Sequence, residues 1–402
     1  LPYDLSSHNY AGGYWYAYAD NAWPSGNSWG ASYDWTSYYY DPGSLNYYGK
    51  LLAMGRGNPL EPGTYYVGVN SGSGTTPLGY TLVSRGIGTN LSIPVLDLPF
   101  AGGTAWSNNL PAREAAYYRV QIASNTPSWK LRLAVTNGEA MLLIQKDCLP
   151  NVVGGSGVST TLGGGRTLQK SGDEQYLLLP DNTAQTNIPA GTYFIAVVSE
   201  GKNPSGSTIG TNGCGYVLTS FGVQPTNQVG NLAPVGPDIS LSDTLLGGEV
   251  KHYQFTVSPG VLALEVRLDN RLANPRMTLR ADGLPVTSST SYGRDAGVSY
   301  TWLDDHLINI ATPKAGTYTM AVQAESFTGG YSNAAYTIVV HALAASPVAF
   351  EGGVTTQTFH SNGVWRYFEF TVPSNTFGWD LRLTNTSGDP RLVVCRDLAP
   401  RD

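Results

Sequence analysis

A short turn-and-strand motif occurs three times in the chain, and this repetition constrains the fold more than any other feature. In each copy a proline and a glycine precede a Thr-Tyr pair, at residues 62–65, 189–193 and 313–318. Proline fixes φ and glycine readily takes a positive φ, a combination that suits a tight turn entering a strand. A tandem repeat makes one supersecondary module the unit of folding, so function is to be sought in the array and in features that one copy alone carries.

Strand patterns surround each copy of the motif. After the motif, apolar residues alternate with period two, as in Tyr193, Ile195 and Val197, which predicts a strand with one buried face. A second strand follows a polar loop, and the two strands together predict a hairpin, here named the back half of the module. A front half, with a Tyr/Phe-rich strand, a Leu-Arg-Leu-type strand and an Asp-containing turn before a proline, recurs at residues 117–150, 252–285 and 367–400.

The halves are unevenly distributed along the chain. Residues 1–92 carry only a back half with a Tyr/Trp-rich insertion, residues 93–224 and 225–345 each carry a complete module, and residues 346–402 carry only a front half. Short strands, regular turn signals and few strong helix formers predict an all-β protein of tandem β-sandwich modules. We therefore expect two complete modules and two complementary half modules.

The complementary halves predict an interface. If the front half at 346–402 completes the back half at 1–92, apolar residues from both share one core: Tyr65, Val67, Tyr80, Phe368, Phe370, Leu381 and Leu383. The contact can form between chains or within one chain that closes on itself, and the chain can instead be an excerpt of a longer array. An unfinished sandwich exposes apolar surface and strand edges that need a cover. We favour contact between chains, because three sandwiches in a row, each joined to the next by a short linker, resist folding back. Repeated head to tail, such contact forms a filament unless it closes into a ring.

An aromatic segment between residues 9 and 48 has no counterpart in the other copies. Amphipathic rings of this kind can form a protein interface, fill the core of the incomplete module, or stack on a glycan, and the sequence leaves all three open. The members of this aromatic patch are Tyr14, Trp15, Tyr16, Tyr18, Trp23, Trp29 and Trp35.

Charge and motif content exclude several functions. The formal net charge of −6 and the lack of a basic stripe argue against a nucleic-acid partner. No apolar run is long enough to span a membrane. The five histidines lack zinc-peptidase spacing, and Ser28 matches a nucleophile elbow only in a stretch without helix signals, so we expect no enzyme. The Lys-poor, Ser/Thr/Asn/Gly-rich composition is typical of an extracellular or cell-surface protein.

Acidic pairs and cysteines are the remaining candidate sites. The pairs precede the closing motif at corresponding places, Asp173 with Glu174 and Asp304 with Asp305, and can either supply part of a calcium shell or form solvated polar turns. No other cofactor is implied. Cys148 and Cys214 fall in one module and can pair in an oxidising compartment, although neither recurs in the other modules. Cys395 lies in an apolar stretch, which favours a buried thiol.

The module resembles the bacterial pre-peptidase C-terminal (PPC) domain in its Tyr/Phe-x-Phe strand, Leu-Arg-Leu strand, Asp-containing turn and closing Gly-Thr-Tyr motif. The resemblance implies secreted jelly-roll-like sandwiches that accompany peptidases or stand in large surface proteins and sometimes bind calcium or an extracellular polymer. The aromatic segment departs from the family. We expect a non-enzymatic extracellular structural protein that assembles with itself head to tail. The alternative is a polymer- or glycan-binding accessory region of a secreted hydrolase or adhesin, with an extracellular polysaccharide as partner.

Overall fold

The protein is all-β, as the sequence predicts. A computed structural model describes residues 35–41, 46–53, 62, 64, 81–112, 114–150, 166–168, 172–180, 187–199, 212–285, 307–324, 332–361, 363–385 and 387–400. These ranges contain 21 strands and no helix. Among these residues, then, no helix is available that could cross a bilayer.

The chain divides into two compact units. The first comprises Leu1–Asp181, Asn187–Val223 and Phe327–Gly330, and the second comprises Asn182–Thr186, Gln224–Ser326 and Tyr331–Asp402. The change from one unit to the next at Val223 and Gln224 lies beside the module boundary expected at residue 224.

The first unit contains a five-stranded and a four-stranded sheet, with orders β3-β5-β10-β7-β8 and β4-β11-β6-β9, and a separate β1-β2 ladder. Its strands are β1 (Trp35–Asp41), β2 (Asn46–Ala53), β3 (Val95–Asp97), β4 (Ala101–Leu110), β5 (Ala115–Ile122), β6 (Trp129–Asn137), β7 (Ala140–Lys146), β8 (Arg166–Leu168), β9 (Glu174–Leu178), β10 (Gly191–Ser199) and β11 (Cys214–Gly222).

One hydrophobic core of the first unit draws side chains from both larger sheets. Trp129 lies at its centre, fully buried, with edge contacts to Tyr176 at 5.6 Å and Tyr193 at 5.5 Å between ring centroids. The indole Nε1 donates a hydrogen bond of 2.9 Å to Ser220 Oγ, which satisfies the ring's one polar group. Period-two alternation in the strands thus places one face of each sheet in a common core.

The second unit repeats this arrangement, with four-stranded sheets of order β12-β14-β18-β16 and β13-β19-β15-β17. Both sheets again contribute to one core, in which the Phe255 and Tyr318 rings stack at 5.7 Å. The strands are β12 (Thr226–Leu232), β13 (Ile239–Leu245), β14 (Val250–Val257), β15 (Ala263–Leu272), β16 (Pro275–Ala281), β17 (Leu307–Ala311), β18 (Gly316–Ala324) and β19 (Ala334–Leu343).

The predicted hairpin of the back half is wrong. In the first unit β10 and β11 lie in different sheets, and in the second unit β18 and β19 do so as well. β10 instead pairs with the front-half strands β5 and β7. β11 pairs with the front-half strand β6 and with β4, which precedes the front half. Period-two alternation fixes which face of a strand is buried but not which strand lies beside it. One back half therefore supplies a strand to both sheets.

A third, partial copy begins at the end of the second unit. β20 (Ala345–Pro347) pairs in parallel with β21 (Tyr367–Glu369), as β3 pairs with β5 and β12 with β14. The arrangement of the sheets can also be described as a β-solenoid of about nine turns, and not only as tandem sandwiches. The fold prediction is therefore confirmed in its all-β character, whereas the division into tandem sandwiches stays a prediction.

Candidate assembly surface

The closing motif has the same geometry in both complete copies. Tyr193 and Tyr318 are buried, and each hydroxyl donates to the carbonyl four residues earlier, Pro189 O at 2.9 Å and Lys314 O at 3.0 Å. These bonds close the turn over the end of the strand and satisfy a polar group inside the core. Tyr65, the equivalent residue of the first copy, lies outside the described residues, as do Val67 and Tyr80.

A pair of apolar residues faces across the second sheet of each complete module. Leu133 lies opposite Leu218 in the β6–β11 ladder, and Leu268 lies opposite Ile338 in the β15–β19 ladder. All four side chains are at most 1% exposed. One member of each pair belongs to the front half and the other to the back half, so the pair marks the contact that unites the halves.

The same positions are exposed in the two half modules. Leu383 aligns with Leu133 and Leu268 and is 50% exposed. Leu82 aligns with Leu218 and Ile338 and is 64% exposed. Each half therefore presents to solvent the residue that its counterpart covers in the complete modules.

Other front-half positions follow this trend. Phe368 is exposed and Phe370 and Leu381 are half-buried, whereas their counterparts in both complete modules are buried. Leu82, Trp379 and Val394 are members of the surface that the sequence prediction did not name. The alignment of the repeats could have identified them. Trp379 aligns with the buried Trp129, and Val394 aligns with the buried Ile144.

Each complete module buries a pair of tyrosine hydroxyls. Tyr118 and Tyr216 hydrogen-bond through their hydroxyls at 2.7 Å, and Tyr253 and Tyr336 form the same bond. Burial raises the pKa of all four phenols, so they stay neutral. In each pair one hydroxyl donates the hydrogen bond and the other accepts it. In the third copy the front-half position is Phe368, which has no hydroxyl.

The Asp-containing turn has the same backbone geometry in all three copies. Asp147, Asp282 and Asp397 have φ between 55° and 67°, a left-handed conformation that Asp tolerates well. In the complete modules the backbone N–H of this Asp donates 2.8 Å bonds to Thr192 O and Thr317 O of the closing motif. The turn at Asp397 therefore has the backbone conformation that receives a closing strand.

Within the second unit, the partial third copy contacts the complete module at residues 225–345. Tyr367 and Ala399 are buried with Ala263, and Trp365 stacks on Tyr367 at 5.9 Å. Asn309 Nδ2 donates a 3.1 Å hydrogen bond to Gly363 O. These contacts hold the front half on β15 and β17 while its core-forming side chains remain uncovered.

Glu265 is buried on β15, between the cross-strand neighbours His341 and Asn309. Its Oε1 lies 3.4 Å from Arg267 Nη1, and its Oε2 accepts no hydrogen bond from the described residues. Burial raises the pKa of this carboxyl, an effect that Arg267 and His341 partly offset.

Of the two acidic pairs, Asp173 and Glu174 lie within the described residues. The Asp173 carboxylate accepts hydrogen bonds from the Arg132 guanidinium and, at 3.0 Å, from the backbone N–H of Val135. Both of its oxygens are therefore bonded to protein groups. Glu174 is buried on β9. Asp304 and Asp305 lie outside the described residues. No group of three or more His, Cys, Asp or Glu side chains suited to a metal occurs within the described ranges.

No disulfide joins Cys148 to Cys214. Cys148 is half-buried after β7, where Gln145 Nε2 lies 3.0 Å from its Sγ, and Cys214 is buried in β11 of the other sheet. The prediction that Cys395 is buried is wrong, because this residue is exposed. In the complete modules the equivalent strands β7 and β16 pair with the closing strands β10 and β18. The stretch around Cys395 has no such partner among the described residues and forms no strand.

Of the aromatic patch, only Trp35 lies within the described backbone, at the start of β1. The other six residues, and Ser28, lie outside it, so glycan contact remains a prediction. An open depression of about 370 Å³ is lined by Asp97, Arg119, Gln121, Asp147, Thr192 and Phe194. Its polar groups bond to each other, such as Arg119 to Asp97 and Thr192 to Gln121, and form no nucleophile–base pair.

No protein-family model matches the sequence. No curated protein matches it either. Among solved structures, the CUB1-EGF-CUB2 region of human MASP-1/3 aligns at 7% identity over 60% of this chain and 98% of that chain, with a TM-score of 0.18. The M60 catalytic domain of Clostridium perfringens ZmpB with its CBM51 domains aligns at 7% identity over 57% and 34%, with a TM-score of 0.16. The structure of Sulfolobus Turreted Icosahedral Virus aligns at 14% identity over 60% and 59%, with a TM-score of 0.16. Scores this low establish neither a shared fold nor a function.

Proposed function

We propose that the protein is a non-enzymatic, extracellular structural subunit built of PPC-like β-sandwich modules. It assembles head to tail when the front half of one copy and the back half of a second copy complete one module. The observation that carries this proposal is the exposure of Leu383 and Leu82, whose counterparts face each other and are buried in both complete modules.

The sheet pairing supports sandwich modules over a solenoid. In each unit two sheets share one core, and neighbouring strands such as β5 and β10 are antiparallel and distant in sequence. A solenoid stacks each coil on the next, so its ladders join successive coils. Antiparallel ladders between non-consecutive strands are typical of jelly-roll-like sandwiches.

The physical reason for assembly is the apolar surface of the front half. Large apolar side chains are exposed along the segment: Phe368, Val372, Phe377, Trp379, Leu383, Leu392, Val393 and Val394. Burial stabilises by about 25 cal/mol per Å² of apolar surface, and unpaired strand edges invite pairing with another chain. A back half, which begins at the closing motif, fits this surface, because β10 with β11 and β18 with β19 cover the same surface in the complete modules. Contact between such unlike patches is heterologous and produces a filament or a ring.

The variant Leu383→Asp tests this function. A carboxylate at this position should weaken assembly at least about tenfold, because completion would bury an unpaired charge. Leu383 is half-exposed in the free chain, so the unfolding midpoint should change little. Assembly is measured by sedimentation velocity and electron microscopy over a concentration series.

Val235→Asp is the matched control, since Val235 is 91% exposed and has no place in the repeat core. It should assemble as the wild type does. If Leu383→Asp assembles equally well, or if the wild-type chain stays monomeric at high concentration, head-to-tail completion is wrong.

A further inference from the structure

We propose that the module completed by two copies, here called the joint, has the same strand register as the complete modules. We also propose that Phe368 weakens the joint, because the complete modules have a tyrosine at this position. Leu82 of one copy then lies opposite Leu383 of the other. This inference rests on the proposed head-to-tail assembly.

The register in the second sheet is the same in both complete modules. The arginine of the Leu-Arg-Leu-type strand is directed away from the core and lies opposite a residue of the closing β11 or β19 strand. The outer pairs are Arg132–Thr219 and Arg267–Val339, beside the core pairs Leu133–Leu218 and Leu268–Ile338.

Transfer of this register to the halves defines a new pair. Val83, next to Leu82, falls opposite Arg382, next to Leu383. Both Val83 and Arg382 are exposed, and the ion pair of Arg382 with Asp380, at 2.7 Å, also lies at the surface. Paired residues in an antiparallel ladder have Cα atoms about 4.5–5.5 Å apart.

The first sheet gives the second part of the joint. Tyr193 lies opposite Val120, and Tyr318 lies opposite Phe255. The corresponding pair is Tyr65 of one copy and Phe370 of the other. Trp379 aligns with Trp129, whose ring contacts Tyr193 in the first complete module.

The hydroxyl pair distinguishes this joint from the complete modules. Tyr80 aligns with Tyr216 and Tyr336, whose hydroxyls bond to Tyr118 and Tyr253. The joint offers Phe368 at the position of Tyr118 and Tyr253. A buried hydrogen bond contributes a net stabilisation, so its loss leaves a joint that separates more easily than a module within one chain.

Disulfide trapping tests the register. One preparation carries Val83→Cys, and a second carries Arg382→Cys with Cys395→Ser, so that only contact between chains brings the new thiols together. The expected Cα separation is within the range that a disulfide spans. Mixing under mild oxidation should give a covalent dimer. The control mixes Val83→Cys with the wild-type chain, whose exposed Cys395 aligns with Gln145 of the other sheet and should not crosslink.

The variant Phe368→Tyr tests the affinity. Restoring the hydroxyl pair with Tyr80 should lower the dissociation constant of assembly roughly two- to tenfold, the effect of one buried hydrogen bond. Phe370→Tyr is the matched control. Its counterparts Val120 and Phe255 have no hydroxyl, so a tyrosine there should leave affinity unchanged or weaken it.

The outcomes separate the two proposals. A wild-type chain that never assembles contradicts the proposed function itself. Assembly without a crosslink between the Val83→Cys chain and the Arg382→Cys chain contradicts the register alone, and equal affinities for Phe368→Tyr and the wild type contradict the role of Phe368. A crosslink together with tighter assembly of Phe368→Tyr supports the inference.

Discussion

Tyr193 and Tyr318 have two roles in their modules. Each ring fills the core between the sheets, and each hydroxyl bonds the turn that precedes the strand. The sequence predicted these buried, equivalent positions from the motif alone, and the structure confirms both of them. Tyr65 stays a prediction.

Replacing Tyr193 by Ala should destabilise the first unit by about 3 kcal/mol, because the change removes a buried ring and leaves a cavity beside Trp129. Tyr193→Phe keeps the ring and loses only the bond to Pro189 O, so it should cost about 1 kcal/mol. Denaturant unfolding measures both values. Equal costs for the two variants would mean that the ring contributes little packing.

Glu265 gives the stability of the second unit a pH dependence. Burial raises the pKa of its carboxyl in the folded state, so folding opposes ionisation and the residue's contribution falls as pH rises through that raised pKa. Glu265→Gln stays neutral. The unfolding midpoint of Glu265→Gln relative to the wild type should therefore increase between about pH 4 and pH 8.

Thermal unfolding across this pH range measures the difference. Glu351→Gln removes a negative charge from an exposed position and serves as the control. A difference between Glu265→Gln and the wild type that is flat in pH would contradict the argument. A flat difference would mean that Glu265→Gln changes stability through the lost contact with Arg267.

At the scale of elements, the closing motif depends on a left-handed residue before its strand. Gly191 and Gly316 have φ of 139° and 141°, at the start of β10 and β18. The turn that faces them carries Asp147 or Asp282, whose N–H bonds the motif threonine carbonyl. Two adjacent turns thus fix where the closing strand enters its sheet.

Gly316→Ala should destabilise the second unit by about 1–2 kcal/mol. A Cβ at this site meets only Asp282 Oδ1 at 3.4 Å, so the cost comes from the backbone conformation and not from a clash. Gly236→Ala is the control, because its Cβ meets only Ala233 Cβ at 3.9 Å. Circular dichroism during denaturation measures both variants, and equal stability would contradict the argument from φ.

At the scale of the whole molecule, each complete module lies in a different unit and has its own core. Among the described residues, none from the partial copies belongs to these two cores. We infer that folding of the complete modules and assembly of the half modules are separable properties.

A chain that ends at Ala345 should retain both complete cores and unfold at nearly the wild-type temperature, while it fails to assemble. Calorimetry and light scattering measure these two properties. Filaments from the truncated chain that match those of the full chain would contradict completion by the front half. The mass of native material provides a further check, since a species near 42.9 kDa favours strand exchange and a much larger one favours an array in a single polypeptide.

The all-β class and the burial of Tyr193 and Tyr318 could be predicted from the sequence, because period-two alternation and turn chemistry are local properties, whereas the complementary halves stay a prediction. The folded structure was needed to show that the two back-half strands enter different sheets, that Leu133 faces Leu218, and that Glu265 is buried. These features depend on pairing between strands far apart in the chain. Alternation shows which face of a strand is apolar, but its partner and its cover are set by the packing of the whole module.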